Sequence, residues 1–396
     1  MLLVPSRQGP SDGFTFRQLD DFIYLTGLEL PDSLLAVDSR SELSTMFAPA
    51  RDARFENRSR RNDFPGRPLR DDAELIQRSG IATWRDTSEL ETALQSWSAA
   101  NLPIRINFGR DGKIELAEPG YLTSWSIEET LLYRLRQKRP QLQVANAYAE
   151  MARMRMVHGP EEIEVMRRVC DLTVEAIRHA AAFVADGIDE RGLEAELEAA
   201  FKRGGSQRLA FASIIKSGPN SLWAWRILAA HYDRRNRIMH DGELVIFDVG
   251  TELDYYVSDV GRTFPVSGRF TEIQKDILRM ETDVADIIIA AIKPGVTLAQ
   301  LKALALEAIP DDQERFMQAG GFHGHHIGLS TGDPNLYDVP LEPGMIFTVE
   351  PWYYNHEDGI SVFTEDVILV TEDGAENLTA ALPRTPEALE AMTNRR

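Results

Sequence analysis

The sequence predicts two domains, a smaller α/β domain over residues 1–155 and an α+β domain with an antiparallel sheet over residues 156–396. Three observations predict this fold class. Strand-like and helix-like segments alternate up to about residue 155. Gly159 and Pro160 then precede acidic residues that open a long amphipathic helix. From residue 209 onward, strand-like segments with Gly-rich turns dominate the sequence.

Alternating patterns define the first domain. The segments "FIYLTGL" and "SLLAVD" are rich in apolar, β-branched and aromatic residues, and we expect both to form strands. The segments "DTSELETALQSW" and "SIEETLLYRLRQKRPQ" have helical periodicity, and each has a serine or threonine near its start that can cap the first turn. This alternation of the two element types is typical of an α/β domain.

Helices open the second domain and interrupt its strands. The first is "EEIEVMRRVCDLTVEAIRHAAAFVADG", and two more follow in "TEIQKDILRMETDVADIIIAAI" and "TLAQLKALALEAI". Cys170, in the first of them, is the one cysteine of the chain, which excludes an intrachain disulfide and a thiolate zinc cluster. We expect it to lie in the core. Cysteine usage fits a reducing compartment.

Charge and hydropathy exclude several classes of partner. The formal net charge of −19 argues against nucleic acid, because phosphate binding needs a basic surface. Seven arginines between residues 51 and 70 are the local exception, and we expect a solvated arm or a subunit contact there, with an anion site as the alternative. No apolar run approaches the ~20 residues of a membrane span, and the first 30 residues lack a signal-peptide pattern. The sequence therefore predicts a soluble, cytoplasmic protein without a membrane partner.

Two aspartates lie inside a strand pattern of the second domain. The segments "ELVIFDVG" and "YYVSDVGRTFPV" flank the polar stretch "TELD" and predict a hairpin. A turn centred between Leu253 and Asp254 puts Asp248 directly opposite Asp259, on one face of the sheet. Two like charges ~5 Å apart on a half-buried face repel each other, so the pair needs a shared proton or a cation such as a metal ion. A satisfied polar pair at a strand edge is the alternative.

A second hairpin repeats this pattern near the C-terminus. The segments "GMIFTVEPWYY" and "GISVFTEDVILVT" are joined by "NHEDG", so a regular hairpin opposes Glu350 and Glu365 on one face. Between the two hairpins, "GGFHGHHIGLSTGDP" holds His323, His325 and His326, any of which can supply an imidazole ligand. Four carboxylates and one histidine suit two divalent ions such as manganese, with cobalt, iron or zinc as substitutes.

These residues resemble the pita-bread metallopeptidases, in the branch of aminopeptidase P and prolidase. That family orders its ligands as Asp, Asp eleven residues later, His in a Gly-rich stretch, Glu in "VEP", and a final Glu followed by Asp. The resemblance maps them onto Asp248, Asp259, His325 in "HGHHIG", Glu350 in "TVEP" and Glu365 in "TEDVIL".

Other segments extend the resemblance over most of the chain. "SGPNSLWAWRILAAHY" resembles the "SGENxxxxHY" pattern with six additional residues, which maps His231 onto a substrate-contacting histidine. "SDVGRTFPVSGRFTEIQKDI" and, in the first domain, "DDFIYLTGLELPDSLLAV" are also similar to family patterns. The implied architecture is a C-terminal pita-bread domain of the creatinase and aminopeptidase type, preceded by a smaller creatinase-type α/β domain.

The resemblance implies a role for each mapped residue. Asp248 and Asp259 bridge or chelate two divalent ions, most simply manganese, and His325 and Glu365 complete the set. Glu350 binds metal and also shuttles protons. His231 steadies the tetrahedral intermediate that forms when a hydroxide bridging the two ions attacks the peptide.

Three positions depart from the family pattern. The second histidine that relatives carry seven residues after the metal histidine is Gly332, followed by Asp333, so a proton donor is missing. His323 or His326 can reach the same space, and we assign His326 as the catalytic candidate. The arginine two residues before the last glutamate is Phe363, and the glycine after "EP" is Trp352, which predicts a different substrate pocket.

The implied activity is that of a dinuclear metal-dependent exopeptidase for short peptides, like an Xaa-Pro aminopeptidase or an Xaa-Pro dipeptidase (prolidase). Family habit suggests a homodimer. Three alternatives stay open: a peptidase of the same fold with non-proline or carboxypeptidase-like specificity, a same-fold hydrolase or lyase of a small molecule, and a binding protein that has lost catalysis.

Overall fold

The chain folds into two compact units, Met1–Ala152 and Arg153–Arg396. The computed structural model describes residues 1–9, 15–49, 73–110, 124–223, 236–317, 322, 324–334, 336 and 339–393. The arginine-rich segment at residues 51–70, His231 and His323 lie outside these ranges. The domain boundary placed between residues 155 and 156 stays a prediction. Among the described helices, none combines the length and the apolar character that crossing a bilayer requires.

The first unit is built on a mixed six-stranded sheet. Its strands have the order β4-β3-β2-β1-β5-β6, with antiparallel pairing of β1 with β2 and β2 with β3 and parallel pairing elsewhere. The strands are β1 (Leu2–Pro5), β2 (Leu34–Asp38), β3 (Leu43–Ala48), β4 (Thr83–Asp86), β5 (Ile104–Ile106) and β6 (Val144–Asn146). The helices are α1 (Asp20–Thr26), α2 (Ala73–Ser79), α3 (Leu90–Ala99), α4 (Ile127–Lys138) and α5 (Tyr148–Met156).

Apolar residues cover both faces of this sheet. Leu3 and Phe47 belong to the core cluster on one face, and their chain neighbours Val4 and Met46 belong to the cluster on the other. This alternation follows from the two-residue period of a strand. Burial on both faces is what an α/β domain requires, and the predicted class of the first domain is therefore confirmed.

Two local predictions in the first unit need correction. The segment "FIYLTGL" was expected to be a strand and lies in helix α1, whose side chains Phe22 and Thr26 are buried four residues apart. Acidic residues in the first turn suit the helix dipole, and Gly27 ends the helix in the left-handed conformation. The helix in "DTSELETALQSW" is confirmed, but no serine or threonine caps it: Asp86 caps the 3-10 turn Thr87–Glu89 that leads into α3. Ser126 caps α4 as expected.

Five helices and eleven strands are described in the second unit. The helices are α6 (Pro160–Ala181), α7 (Glu190–Arg203), α8 (Glu272–Ala291), α9 (Leu298–Ala308) and α10 (Pro386–Thr393). The strands are β7 (Arg208–Leu209), β8 (Ile214–Ser217), β9 (Leu244–Val249), β10 (Thr251–Leu253), β11 (Tyr256–Val257), β12 (Val260–Pro265), β13 (Ile346–Val349), β14 (Trp352–Asn355), β15 (Ile360–Phe363), β16 (Asp366–Val370) and β17 (Ala375–Asn377). The pairings described between them are antiparallel, which confirms the predicted α+β class.

The two faces of the central strands β8, β9 and β12 have different environments. Ile215, Phe247 and Phe264 face the large core that the helices cover, together with Cys170, which is fully buried as expected. Burial raises the pKa of the Cys170 thiol, so it behaves as a core residue and not as a nucleophile. The opposite face of these strands carries Asp248.

The first hairpin has a different register from the predicted one. Asp254 and Tyr255 form a two-residue turn, both with positive φ (51° and 74°), so that Leu253 pairs with Tyr256. The same register pairs Asp248 with Gly261, two residues beyond the predicted partner Asp259. A tyrosine rarely adopts the left-handed conformation, so the sequence contains no signal for this turn. Because side chains alternate with period two, the shift leaves both aspartates on one face.

The second hairpin has the predicted register. Val349 pairs with Asp366 between β13 and β16, and Trp352 pairs with Phe363 between β14 and β15. The prediction that Glu350 and Glu365 oppose each other is therefore confirmed by the pairs on either side.

A buried ion pair lies on the core side of the two hairpins. Arg262, fully buried, donates to Asp366 Oδ1 at 2.7 Å and to the backbone carbonyls of Gly261 and Glu365 at 2.7 and 2.6 Å. Burial tends to raise the pKa of Asp366, but the charges of Arg262 and Arg384 outweigh it and hold that pKa below its ordinary value. The pair therefore ties the two hairpins together from the core side.

We expect Arg262→Met to lower the free energy of unfolding by about 3–5 kcal/mol, because Asp366 would keep its charge while losing its principal partner. Urea unfolding of the two proteins measures the difference. The matched control is Arg167→Met, which removes the half-exposed pair with Glu376 and should cost about 0–1 kcal/mol. Equal losses of unfolding free energy in the two variants would show that the buried ion pair contributes no more to stability than the half-exposed pair.

Candidate metal centre

Carboxylates from both hairpins meet in one cross-strand row. Asp248 on β9 pairs with Gly261 on β12, and Gly261 in turn exchanges two backbone hydrogen bonds with Glu365. Glu350 lies opposite Glu365 across the second hairpin, and Asp259 precedes Gly261 by two residues. The fold therefore brings all four predicted carboxylates to neighbouring strands.

His325 joins this group. Its Nε2 lies 3.4 Å from Glu350 Oε1 and 3.6 Å from Asp259 Oδ2. Potential ligand atoms of Asp259, His325 and Glu365 all lie within 4.8 Å of one another. Three side chains from three separate segments thus converge at a spacing that a single ion can span.

Backbone and hydroxyl contacts orient these ligands. His325 Nδ1 lies 3.3 Å from the carbonyl oxygen of His326, an acceptor, which favours the tautomer with Nε2 free to coordinate. Thr348 Oγ1 accepts from the His325 amide at 3.3 Å and donates to Glu350 Oε1 at 3.3 Å. One threonine therefore positions both a histidine and a carboxylate.

Burial and mutual repulsion perturb the carboxyl groups. Burial raises the pKa of Asp259 well above its ordinary value, and the charges of Asp248 and Glu350 raise it further. Burial and Asp248 raise the pKa of Glu350 in the same direction. Burial, followed by Asp259 and Glu350, raises that of Glu365. Proton binding relieves this burial and repulsion, and a divalent ion competes with protons for the same oxygens.

Unsatisfied oxygen atoms indicate what the group is built to hold. Asp259 Oδ1 and both carboxylate oxygens of Glu365 are buried and have no hydrogen-bond donor within the described part of the chain. Buried polar atoms are normally paired, so these oxygens need either a shared proton or a cation at the site. Carboxylate oxygens with one imidazole suit divalent ions such as manganese. The residues present therefore fit the predicted metal.

Gly261 is the position in the row without a side chain. A Cβ atom there would lie 2.2 Å from Phe363 Cε1 and 3.0 Å from Glu365 Cβ. The ring of Phe363 thus occupies the space over Gly261, directly beside the carboxylates. A glycine inside a strand is typical of such close approach, and this signal in "SDVGRTFPV" was available from the sequence.

His326 has a different environment from its neighbour His325. It is 2% exposed, its ring centroid lies 6.0 Å from that of Phe347, and its Nδ1 has no partner in the described residues. Burial lowers its pKa to about 4, with contributions from His158 and His325. The structure therefore brings His325 to the carboxylates and packs His326 against the core. The catalytic assignment of His326 stays a prediction, as does that of His231.

Asp333, the residue after Gly332, holds the loop in which the family histidine is missing. Asp333 forms a buried ion pair with Arg155 and accepts hydrogen bonds from the Ser330 amide and hydroxyl, at 3.1 and 3.0 Å. A Cβ atom on Gly332 would meet no heavy atom of the described residues within 4 Å, and its φ is not left-handed. Asp333 therefore fixes the loop, and position 332 has room for a Cβ atom.

Sequence reasoning did not single out Glu281 of helix α8. This glutamate is fully buried, and its Oε1 accepts the amide hydrogen of Tyr353 at 2.6 Å. Burial raises its pKa well above the ordinary value, outweighing that hydrogen bond. It supports the strand that follows Glu350. A single glutamate on an amphipathic helix gives no sequence signal for such a contact, which only tertiary packing reveals.

Comparison with known proteins gives two family matches. Residues 164–372 match Metallopeptidase family M24, and residues 4–103 match the Aminopeptidase P, N-terminal domain. The first match includes the four carboxylates and His325.

Relatives of this chain are similar over nearly its whole length. The Xaa-Pro aminopeptidase of Escherichia coli strain K12 is 29% identical, over 96% of this chain and 89% of the relative. Human Xaa-Pro aminopeptidase 3 is 26% identical, over 96% of this chain and 78% of the relative.

Solved structures show the same similarity. Aminopeptidase P from E. coli with the inhibitor Pro-Leu superposes with a TM-score of 0.78 at 26% identity, covering 99% of this chain and 93% of that one. A Bacillus anthracis structure proposed to be an aminopeptidase P gives 0.85 at 25% identity, with the same coverage.

We expect divalent metal to stabilise the protein more at pH 8 than at pH 5. The folded-state pKa values of Asp259, Glu350 and Glu365 are raised above the unfolded values near ~4. Their contribution in metal-free protein is therefore present below pH ~4 and is lost as the pH rises through the raised values.

Urea unfolding with chelator and with Mn²⁺, at several pH values, measures this effect. The free energy of unfolding of metal-free protein should fall as the pH rises, and Mn²⁺ should reverse the fall. A stabilisation by Mn²⁺ that is the same at both pH values would contradict the competition between protons and metal.

Proposed function

The chain belongs to metallopeptidase family M24, and from this premise we propose that it is a dinuclear metal-dependent aminopeptidase that removes the residue preceding proline at a peptide N-terminus. The predicted family and the predicted fold, a pita-bread domain after a smaller α/β domain, are confirmed by the two family matches and the structural neighbours. The chain is thus a peptidase of the hydrolase class. The number of metal ions and the specificity are the proposal.

The observation that carries the proposal is the row of carboxylates with His325 at its edge. Asp248, Asp259, Glu350 and Glu365 provide more negative charge than one divalent ion neutralises, which supports two ions. When bound, the ions supply an activated water molecule and polarise the scissile carbonyl group. We propose manganese, with cobalt, iron or zinc as substitutes.

The residues of the chain divide the remaining tasks. Glu350, held by the Thr348 hydroxyl and close to His325, is placed to accept and return a proton. His231 would donate a hydrogen bond to the developing oxyanion, as the resemblance implies.

The names of the relatives support specificity for proline. The positions that depart from the family pattern change the substrate pocket and therefore affect this specificity. The rings of Phe363 and Trp352, in a tilted contact with centroids 4.7 Å apart, make the wall beside the carboxylates apolar. Short peptides are the proposed substrates, and a homodimer is the proposed assembly.

A peptide panel tests the proposal. Metal-depleted protein should be inactive, and reconstitution with Mn²⁺ should restore release of the N-terminal residue from Xaa-Pro peptides. Elemental analysis should find two ions per chain. Asp259→Asn is the control against contaminating peptidases, because it keeps the shape of the side chain but should lose bound metal and activity together.

Other results identify the alternatives. Cleavage of peptides without proline, or release from the C-terminus, would replace the proposed specificity by another peptidase specificity. Bound metal without any peptide cleavage would favour a small-molecule hydrolase or lyase. Absence of bound metal would favour a binding protein.

We expect Gly332→His to raise kcat on Xaa-Pro peptides by about tenfold, because it restores the imidazole that the resemblance puts at this position. One preorganised donor of this kind contributes ~3 kcal/mol in comparable sites, so a partial gain is a conservative expectation. A Cβ atom at position 332 meets no heavy atom of the described residues within 4 Å, so the substitution begins without a clash.

Gly332→Ala is the matched control, since it makes the same change to the backbone without the imidazole. Identical kinetics of the two variants would mean that the missing histidine does not limit this enzyme.

A further inference from the structure

A cavity of about 600 Å³ opens in the second unit, apart from the carboxylate row. It lies between the first half of α8, residues 310–316 and the end of the hairpin formed by β14 and β15. Small-molecule sites in proteins typically enclose ~300–1,000 Å³, so the cavity has the size of a ligand site. Its described lining includes none of the proposed metal ligands. The cavity is therefore separate from the metal centre.

Strand β14 stands between the cavity and the site. Tyr353 and Asn355 line the cavity and share one face of β14, because they are two residues apart. Tyr353 belongs to the large core that the helices cover. Trp352 alternates with it and packs with Phe363 in a separate cluster. The cavity and the apolar wall beside the carboxylates therefore lie on opposite faces of one strand.

Apolar side chains form one part of the lining. Ile277 and Met280 contribute from α8, and Phe316 contributes from the facing segment. The ring centroids of Phe316 and Tyr353 lie 5.4 Å apart in a tilted contact. Ile273, one turn before Ile277, is 66% exposed, so the apolar surface continues to solvent. A ligand with an apolar body would bury this surface favourably.

A hydrogen-bond network fixes the polar side of the cavity. The Tyr353 hydroxyl donates to Gln313 Oε1 and accepts from Asn355 Nδ2, both at 3.1 Å. Asn355 Nδ2 also donates to Asp358 Oδ2 at 2.9 Å. Asn355 Oδ1 accepts from the amides of Glu357 and Asp358, at 2.9 and 3.0 Å. Because these contacts hold the side chains without a ligand, the cavity is preformed, as small-molecule sites usually are.

Carboxylates outnumber cations in the lining. Its acidic side chains are Asp276, Asp312, Glu357 and Asp358, and the basic side chain of the described lining is Arg315. Arg315 pairs with Glu357 at 3.1 Å, and both side chains are 65% exposed, so this ion pair is weak. The remaining excess of negative charge favours a cationic ligand.

Two of these carboxylates act at one point of the cavity. Within the described residues, Asp312 accepts only from the side-chain amide of Gln313, at 2.8 Å, and therefore keeps its charge unpaired. The side chain of Asp358 likewise accepts from a neutral amide, that of Asn355. Burial raises the pKa of the Tyr353 hydroxyl, and the charges of Asp358 and Asp312 raise it further. A cation close to that hydroxyl would interact with both carboxylates.

We propose that this cavity binds a small organic cation in which an ammonium group is attached to an apolar body. The apolar body packs on Ile277, Met280 and Phe316. The ammonium group is directed toward Asp312 and Asp358. A free amino acid fits less well, because its carboxylate would meet the same acidic groups. The inference does not rest on the proposed function, since it uses no residue of the metal centre.

Contacts within the lining have the chemistry of this ligand class. The guanidinium carbon of Arg315 lies 4.4 Å from the ring centroid of Phe316, a cation–π distance. Phe316 also contacts the ring of Tyr353, and a third ring can join such a pair. An arylalkylamine therefore offers both kinds of contact that the lining already makes.

Three matched compounds test the inference: 2-phenylethylamine, 2-phenylethanol and L-phenylalanine. They share an apolar body and carry, near neutral pH, a positive charge, no charge, and an ammonium group with a carboxylate. Each is titrated into the Mn²⁺-loaded protein, and binding is followed by ligand-observed NMR. We expect the amine to bind with a Kd of about 1 mM or below, and at least about threefold more tightly than the other two compounds. Equal affinities, or no binding of the amine up to about 10 mM, would overturn the proposal.

Variants of the lining identify the groups that bind the amine. The double variant Asp312→Asn/Asp358→Asn keeps the shape of both side chains and should weaken binding of the amine by about three- to tenfold, with a change below about twofold for the alcohol. Phe316→Ala should weaken binding of both compounds. Asp283→Asn is the control, because it removes an exposed carboxylate of α8 outside the lining and should change neither affinity.

Asp259→Asn separates the cavity from the metal centre. This variant should bind the amine with wild-type affinity, because the cavity does not include Asp259. Loss of amine binding in Asp259→Asn, or unchanged binding in the double variant, would overturn the proposal and assign the amine to another site. Amine binding that depends on Asp312 and Asp358, in a protein that cleaves no peptide, would support the cavity and overturn the proposed function alone.

Discussion

Mutual repulsion of buried carboxylates is the constraint around which the second unit is organised. Asp248, Asp259, Glu350 and Glu365 lie on neighbouring strands with little access to water, an arrangement whose free energy is unfavourable until a cation joins it. Antiparallel strands can hold such groups in place because backbone hydrogen bonds fix their register, as between β9 and β12 and between β13 and β16. The ion pair of Arg262 with Asp366 also fixes these strands, from the opposite face of the sheet. Because it lies on that face, it does not neutralise the carboxylates of the site.

Local sequence patterns were sufficient to predict which carboxylates lie together, because strand periodicity determines which side chains share a face. Glu350 and Glu365 were paired correctly, since the loop between them is regular. The register of the first hairpin was wrong by two residues, because Asp254 and Tyr255 adopt a turn that their residue types do not signal. An error of two residues preserves the face, whereas an error of one would have moved the aspartates into the core.

Tertiary packing determines two features that local sequence patterns do not predict. Three histidines lie in one Gly-rich stretch, and only the backbone pairing of His326 with Phe347 shows that His325 is the one facing the carboxylates. The segment containing Phe22 has a strand-like composition, yet it is a short helix that Gly27 ends. In both cases neighbouring elements decide between conformations that the local residues allow.

The row that joins β8, β9, β12 and Glu365 also determines when the site can form during folding. Its members come from distant parts of the second unit, and the pairing of Gly261 with Glu365, which joins the two hairpins, closes a long loop of chain. Each hairpin can form early by itself, but the complete set of ligands exists only after the hairpins have docked. Tight metal capture is therefore a late event, which makes a bound ion a marker of chains that have finished folding.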